Sequence, residues 1–299
     1  MRGGLAAHAG TIINAGGASW LCYESAGHNT GDAKIIYSCL RMPAWDPNLY
    51  LKYANERARP AMDLVAQIQL DAPTRIVDLG CGPGNSTEML RQRWPNAEIT
   101  GVDNSPEMLA EAKVKHPDWK WFLSDIESWE PEPPHDLIFS NAAFHWVAGH
   151  ATLFRSLIGG VAPGGALAAQ MPDNFHSAAH GVMQEVAANG DPRWSNALTV
   201  AAGTFTVQKP AFYYDVLRKL ASRVDIWETE YQHVMDGPKA IFDWIRSTGM
   251  RPYLERLHDE ELRRLFEQMC LEGFQEAYPP DDQGKVLFPF RRIFIVAYR

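Results

Sequence analysis

The sequence predicts a Rossmann-like α/β fold: a mostly parallel, seven-stranded sheet wrapped by helices, with an antiparallel edge strand and an inserted helical cap. Three observations predict it. A short apolar run, Arg75-Ile-Val-Asp-Leu79, ends in a cluster of glycines and gives way to a helical pattern, as a buried parallel strand does when it turns into a helix. Strand and helix patterns then alternate as far as Gln170, which marks consecutive βαβ units. Two longer alternating runs, Val224 to Gln232 and Arg292 to Tyr298, lie near the end of the chain with helical stretches between them.

The elements follow in order. Residues 1–41 are rich in Gly, Ala and Ser, keep neither periodicity for long, and carry only Arg2, Glu24, Asp32, Lys34 and Arg41 as charges. His8, Asn14 and the glycines break up any apolar stretch of a signal peptide. A disordered or non-native extension is expected there, with Met42 as the working start. The folded domain is expected over residues 42–299. Tyr50 to Ala58 reads as helical, and Pro60 is suited to the first turn of a second helix, Ala61 to Gln69. After the strand Arg75–Leu79 come a helix (Ser86–Arg93, stopped by Pro95), a strand (Ala97–Val102), a helix (Ser105–His116) and two strands (Trp119–Leu123 and Asp136–Ser140). A helix (Thr152–Ile158) and a strand (Gly165–Gln170) complete the alternation. Val286 to Phe290 suits an edge or hairpin, because Pro289 has no N–H for a central ladder. The helical stretches, about 175–222 and 236–285, exceed what a crossover needs and are read as a cap over the carboxyl edge of the sheet.

Composition excludes several functions. The chain has 299 residues and a net charge of −8, which argues against nucleic acid as the main partner, since phosphate binding needs a basic face. No apolar run reaches the roughly 18 residues of a membrane span. Cys22, Cys39, Cys81 and Cys270 are scattered without zinc-like or disulfide-framework spacing, which suits reduced thiols in a cytoplasmic protein. Nothing in the sequence sets an oligomeric state, and no metal is expected.

The centre of the functional reading is Ile76-Val-Asp78-Leu-Gly80-Cys81-Gly82-Pro-Gly84-Asn85-Ser86. Glycines at alternate positions between a strand and a helix let the backbone approach a ligand closely. A dinucleotide site uses G-x-G-x-x-G with pyrophosphate on the helix N-terminus. Here the spacing is G-x-G-x-G with Asp78 before it, and that carboxylate would repel pyrophosphate. The same carboxylate suits an α-ammonium, so the loop fits the methionine part of S-adenosylmethionine better than NAD. Asp103 ends the second strand, where an acidic residue takes ribose hydroxyls, although it could instead cap the next helix. Asn104 lies beside it, and Met108 could pack on adenine or in the core. Asp125 and Ile126 follow the third strand, where a carboxylate can accept from the adenine amine. Asn141, His145 and Trp146 follow the fourth and face the reaction centre. Cys81 is read as a small packing residue within the loop. Tyr53, one helical turn from Tyr50, could close over the methionine end or belong to the core.

From Met42 onward the chain resembles the trans-aconitate 2-methyltransferases. The resemblance rests on Trp45-Asp-Pro-Asn-Leu-Tyr50, Glu56-Arg-Ala-Arg-Pro60, Val77-Asp-Leu-Gly-Cys-Gly-Pro-Gly-Asn-Ser-Thr87, Gln92-Arg-Trp-Pro95 and Ser105-Pro-Glu-Met-Leu-Ala-Glu-Ala112. It continues in Gln170-Met-Pro-Asp-Asn174, Val224-Asp-Ile-Trp-Glu-Thr229, Thr248-Gly-Met-Arg-Pro252 and Phe294-Ile-Val-Ala297. The glycine loop is shared by very many methyltransferases; the segments 170–174 and 248–252 are more specific. The resemblance implies a class I methyltransferase fold, S-adenosylmethionine as cofactor, and methyl transfer to one carboxylate of trans-aconitate. The products would be a monomethyl ester and S-adenosylhomocysteine.

Such an acceptor is already ionised near pH 7, so no general base is expected. The spectator carboxylates need cationic partners, and Arg57, Arg59, Arg251 and Arg292 are the candidates, with Tyr50, His145 and Trp146 completing the pocket. Each arginine could equally be a solvated surface charge. Competing readings are an enzyme acting on another small acid or on a malonyl group on acyl carrier protein, a non-catalytic S-adenosylmethionine-binding protein, and an NAD-dependent oxidoreductase. A carrier protein would need a basic docking face, and residues 253–282 are instead rich in acids.

Overall fold

The computed structural model describes residues 11–15, 18–26, 35–41, 54–194, 198 and 206–299, with side chains from residue 58 onward. The chain divides into two units, residues 1–48 and 49–299. In the first, β1 (Thr11–Ala15), β2 (Ala18–Ala26) and β3 (Ile35–Arg41) form an antiparallel sheet in the order β1-β2-β3. The extension expected to be disordered or non-native, residues 1–41, falls within this unit. Thr11-Ile-Ile13, Trp20-Leu-Cys-Tyr23 and Ile35-Ile-Tyr37 are short β-branched and aromatic runs set off by glycines, a hairpin composition that the abundance of small residues obscures.

The second unit begins with α1 (Ala54–Gln67), a single helix that carries Pro60 inside it rather than starting anew there. The α/β alternation follows as expected: β4 (Arg75–Leu79), α2 (Asn85–Arg93), β5 (Glu98–Asp103), α3 (Pro106–Lys115), β6 (Lys120–Leu123), β7 (His135–Asn141), α4 (His150–Gly159) and β8 (Val161–Pro172). Then come α5 (Ala178–Asn189), α6 (Pro210–Leu217), β9 (Arg223–Met235), α7 (Pro238–Arg246), α8 (Arg251–Leu254), α9 (Glu260–Ala277) and β10 (Val286–Tyr298). The sheet order is β6-β5-β4-β7-β8-β10-β9. The strands β4 to β8 pair in parallel, and β10 runs against both β8 and β9 near the edge. Strand order reverses between β4 and β7, and the carboxyl ends of strands at such a switch point are where α/β sheets bind ligands.

Pro289 is accommodated by an offset. β8 pairs with β10 only from Arg292 to Tyr298, whereas β9 pairs along its whole length. At Pro289 the side facing away from β9 is a local edge, so the missing N–H breaks no ladder.

Two apolar layers enclose the sheet. Val77, Leu79, Ile138, Leu167, Ala169, Ile293 and Ile295 pack with α4 and α6 on one face. Ile76, Leu137, Phe139, Ala166, Ala168, Phe294 and Val296 pack on the other with Leu64 and Val65 of α1 and Ile68 just after it. The alternation of strand residues between these layers is the period-two pattern of a pleated strand buried on both sides. A third core joins α5, α7, α8 and α9 around Trp194, Trp244, Phe266 and Phe274, and includes Phe288 and Phe290 of β10. This is the cap. The helix α6 lies outside it, because Tyr213, Val216 and Leu217 face the sheet layer. The stretch 175–222 is thus shared between cap and sheet.

Gly101 has a packing role. A Cβ there would collide with the ring of Trp121 and stand 2.9 Å from Sγ of Cys81 in the glycine loop. Gly101→Ala should cost about 1–3 kcal/mol, as overpacking of a buried site does. Gly181→Ala, on an exposed stretch of α5 with open space around it, should instead stabilise by about 0.5–1 kcal/mol. Chemical denaturation of the two variants checks both signs.

Candidate active site

The site begins where β4 ends. Asp78 is fully buried. Its Oδ2 accepts hydrogen bonds from Ser86 Oγ and Thr87 Oγ1, each at 2.7 Å. One carboxylate oxygen thereby ties the strand end to the first turn of α2, across the loop between them. Gly80, Gly82 and Gly84 all adopt positive φ, at 73°, 54° and 91°. The N–H groups of Gly80 and Cys81 both reach the carbonyl of Val102 at the end of β5. A Cβ at position 80 would collide with Ala143, and one at position 84 would sit 2.8 Å from Trp121. At Gly82 nothing lies within 4 Å, so that peptide faces open space.

The acidic partners assemble around the loop. Asp103 Oδ2 accepts from Gly82 N at 2.8 Å, and Oδ1 accepts from Ser105 N at 2.9 Å. The cap of α3 is Ser105, whose Oγ accepts from Met108 N, so Asp103 holds the glycine loop and keeps lone pairs for a ligand. Asn104 Nδ2 donates to Asp125 Oδ2 at 3.1 Å, joining the ends of β5 and β6. Ile126 lies 3.5 Å from where a Cβ on Gly80 would be. Asn85 is exposed at the start of α2, and Met108 is half-buried.

Burial pushes the Asp78 carboxyl up to about 6; the Thr87 and Ser86 hydroxyls pull it down, and the charge of Asp103 adds to the rise. Burial, with Asp78 and Asp103 nearby, pushes the Cys81 thiol far up, so it packs as a small apolar group. Asp78 Oδ1 is buried with no hydrogen-bond partner. An enclosed, unpaired carboxylate oxygen next to a bared backbone turn carries a desolvation cost that a cationic or donor ligand would offset. The residues therefore fit the ammonium, backbone and ribose requirements of S-adenosylmethionine.

Beyond the loop the fold aligns further polar groups. Asp78 stands beside Phe139 in the β4–β7 register, Asn141 beside Gln170 in β7–β8, and Gln170 beside Phe294 in β8–β10. Paired residues share a face, so Asp78, Asn141, Gln170 and Arg292 form a row on the α1 side of the sheet, at its carboxyl end. Arg292 is 5% exposed and donates from Nη1 to Gln170 Oε1 at 3.5 Å. Its guanidinium lies over the ring of Phe290, 4.6 Å from the centroid, where the cap core meets the sheet. His145 sits in the one-turn helix Phe144–Trp146 after β7. Burial depresses its imidazole to about 3, and the charges of Arg292 and His150 act in the same direction. It is neutral at pH 7. Trp146 packs against it with ring centroids 4.6 Å apart and is 43% exposed.

The other expected substrate residues are placed differently. Arg251 is exposed on α8 and paired with Glu255 at 3.3 Å. Arg59 is exposed, lies 5.1 Å over the Tyr231 ring and is 3.9 Å from Asp63, while the Tyr231 hydroxyl donates to Asp63 at 2.7 Å. Tyr50, Tyr53 and the side chain of Arg57 lie outside the described residues. Sequence reasoning did not single out four side chains that shape this region: the Ser86 and Thr87 hydroxyls, the Trp121 ring that backs Gly84 and Gly101, and the Gln170 amide. A signal for Gln170 was present, since it is a polar residue at the end of an otherwise small and apolar strand, Ala166-Leu-Ala-Ala169.

Known proteins agree with this geometry. Residues 76–165 match the family model described as a methyltransferase domain. The backbone is similar to the YcgJ protein from Bacillus subtilis, with a TM-score of 0.51 at 13% identity over 81% of this chain and 98% of that one, a likeness of fold. The chain is 46% identical over 257 residues to the trans-aconitate 2-methyltransferase of Rhodopseudomonas palustris strain BisA53, covering 86% of this chain and 99% of that protein. It is 47% identical over 259 residues to the protein of that name from Methylobacterium nodulans, covering 86% and 99%. At this identity over essentially the whole length of those relatives, the chain belongs to the trans-aconitate 2-methyltransferase family.

Proposed function

We propose that this protein transfers the methyl group of S-adenosylmethionine to a carboxylate of trans-aconitate in the cytoplasm, leaving a monomethyl ester and S-adenosylhomocysteine. The observation that carries the reading is the row on one sheet face. It has an enclosed carboxylate, Asp78, at the glycine loop and an enclosed guanidinium, Arg292, at the far end. The first suits the ammonium of the cofactor, and the second suits a carboxylate of the acceptor.

Bound at the loop, S-adenosylmethionine supplies a methyl group made electrophilic by its sulfonium. Asp78, Gly80, Gly82 and Asp103 would hold it, and Asp125 and Ile126 would lie on its adenine side. The acceptor carboxylate is ionised at neutral pH, so the protein has no proton to remove. His145, neutral and buried, fits a wall or a hydrogen-bonding partner and not a general base. The remaining task is orientation in a site shielded from water. Arg292 serves best on a spectator carboxylate, because a cation on the attacking oxygen would stabilise the ground state more than the transition state.

Three outcomes test the reading. Asp103→Asn should weaken S-adenosylhomocysteine binding by about 1.5–3 kcal/mol, the range for a hydrogen bond to a charged group; calorimetry showing wild-type affinity in the folded variant would remove Asp103 from the site. Asp78 loses its charge as pH falls through about 6, so cofactor affinity should drop on the acid side of that value. Turnover at saturating substrates should stay level from pH 6.5 to about 9, because no base titrates; pH profiles of kcat and kcat/KM separate the two. Arg292→Gln should cost about 2–5 kcal/mol in kcat/KM for trans-aconitate, as when one member of a buried charge pair is lost. Arg251→Gln should change it little, and equal losses from both would place the acceptor elsewhere.

A further inference from the structure

On the reading just given, we propose that Gln170 is a specificity residue: its side-chain amide, oriented by Arg292, grips a substrate carboxylate that is not methylated. A guanidinium only donates, so the amide of Gln170 must turn its oxygen toward Arg292 and its NH2 away. That is the arrangement found, with Arg292 Nη1 donating to Oε1. The NH2 group is enclosed, Gln170 being 0% exposed, and Nε2 has no acceptor. Two buried N–H donors without an acceptor are costly to keep, and an apolar residue of similar volume would fill the space without that cost.

The row has an order that identifies the missing acceptor. From β4 outward, the first two positions present buried oxygens without partners, Asp78 Oδ1 and Asn141 Oδ1. The next two are donors, Gln170 Nε2 and the Arg292 guanidinium. Acceptors lie toward the glycine loop and donors lie away from it. Strands are about 4.8 Å apart, so Gln170 lies two spacings, about 10 Å, across the sheet from Asp78 and two residues nearer the carboxyl end. The ligand atoms at the donor end must therefore be acceptors, and beside a guanidinium an anionic oxygen fits best. Gln170 and Arg292 together offer donors to the two oxygens of one carboxylate. Donors on the attacking carboxylate would blunt its nucleophilicity, so the pair is assigned to a spectator.

The experiment compares wild type, Gln170→Met and Gln170→Glu on trans-aconitate and on the two dicarboxylates that each lack one carboxylate not methylated. It reads kcat/KM, and by calorimetry the affinity of each acid for enzyme loaded with S-adenosylhomocysteine. Wild type should favour trans-aconitate over both dicarboxylates. Gln170→Met should lose tenfold or more in affinity and kcat/KM for trans-aconitate, yet be nearly unchanged on the dicarboxylate that lacks the gripped group. Gln170→Glu keeps the volume, gains an ion pair with Arg292 and should reject all three acids. Affinity for S-adenosylhomocysteine should be unaltered in both variants. A Gln170→Met enzyme that keeps the wild-type preference overturns the assignment, as does a Gln170→Glu enzyme that still turns over trans-aconitate. Loss of S-adenosylhomocysteine binding alongside acid binding would mark Gln170 as structural and also overturn it. Wild type that binds no trans-aconitate would instead sink the underlying reading.

Discussion

The carboxylate of Asp78 is the interaction on which the rest depends. A loop that bares its backbone to a ligand gives up the side-chain packing that would otherwise hold it, and three residues at positive φ add conformational cost. Here the compensation is a single buried oxygen that accepts from Ser86 and Thr87 across the loop. Asp103 does the same from the other side through Gly82, and Trp121 fills the space beneath. The loop is held from three directions by neighbours that leave its open face clear. Because one oxygen of Asp78 is used for scaffolding, the other can stay unpaired without the loop losing its shape.

The second organising feature is the meeting of cap and sheet at β10. Phe288 and Phe290 belong to the cap core, and Phe294 and Val296 belong to the sheet core. Arg292 falls between them, its guanidinium resting on Phe290. A cation enclosed at that junction has an aromatic ring on one side and the Gln170 carbonyl on another. Its placement owes more to the register of β10 against β8 than to any local sequence feature.

Most of the parallel sheet was legible in the sequence, because its central strands β4, β7 and β8 are largely apolar runs buried on both faces. The glycine loop was legible for the same reason, since conformational demands leave few residue choices. Two kinds of information were not. Pro60 reads as a helix start, yet α1 carries it internally, because tertiary packing of Leu64, Val65 and Ile68 outweighs one lost hydrogen bond. The surroundings of each arginine were also out of reach. Arg251 sits in a segment specific to the family, but it is a surface residue paired one turn away with Glu255. Arg292 stands beside Arg291 in an unremarkable strand, and only pleat parity with Gln170 sets it inward while Arg291 pairs with Asp173. Parity across four strands requires knowing the register, which no single strand encodes.

The length of β10 has a consequence for how the second unit unfolds. Its thirteen residues pass without a break from the cap core into the sheet core, and β9 accompanies them along the full ladder. No flexible linker separates the two cores there, so the cap cannot be released by bending one hinge. Detaching it means unzipping a ladder whose other half is the interior of the sheet. The cores are thereby coupled into one cooperative block, and any opening of the pocket falls to elements other than this shared pair of strands.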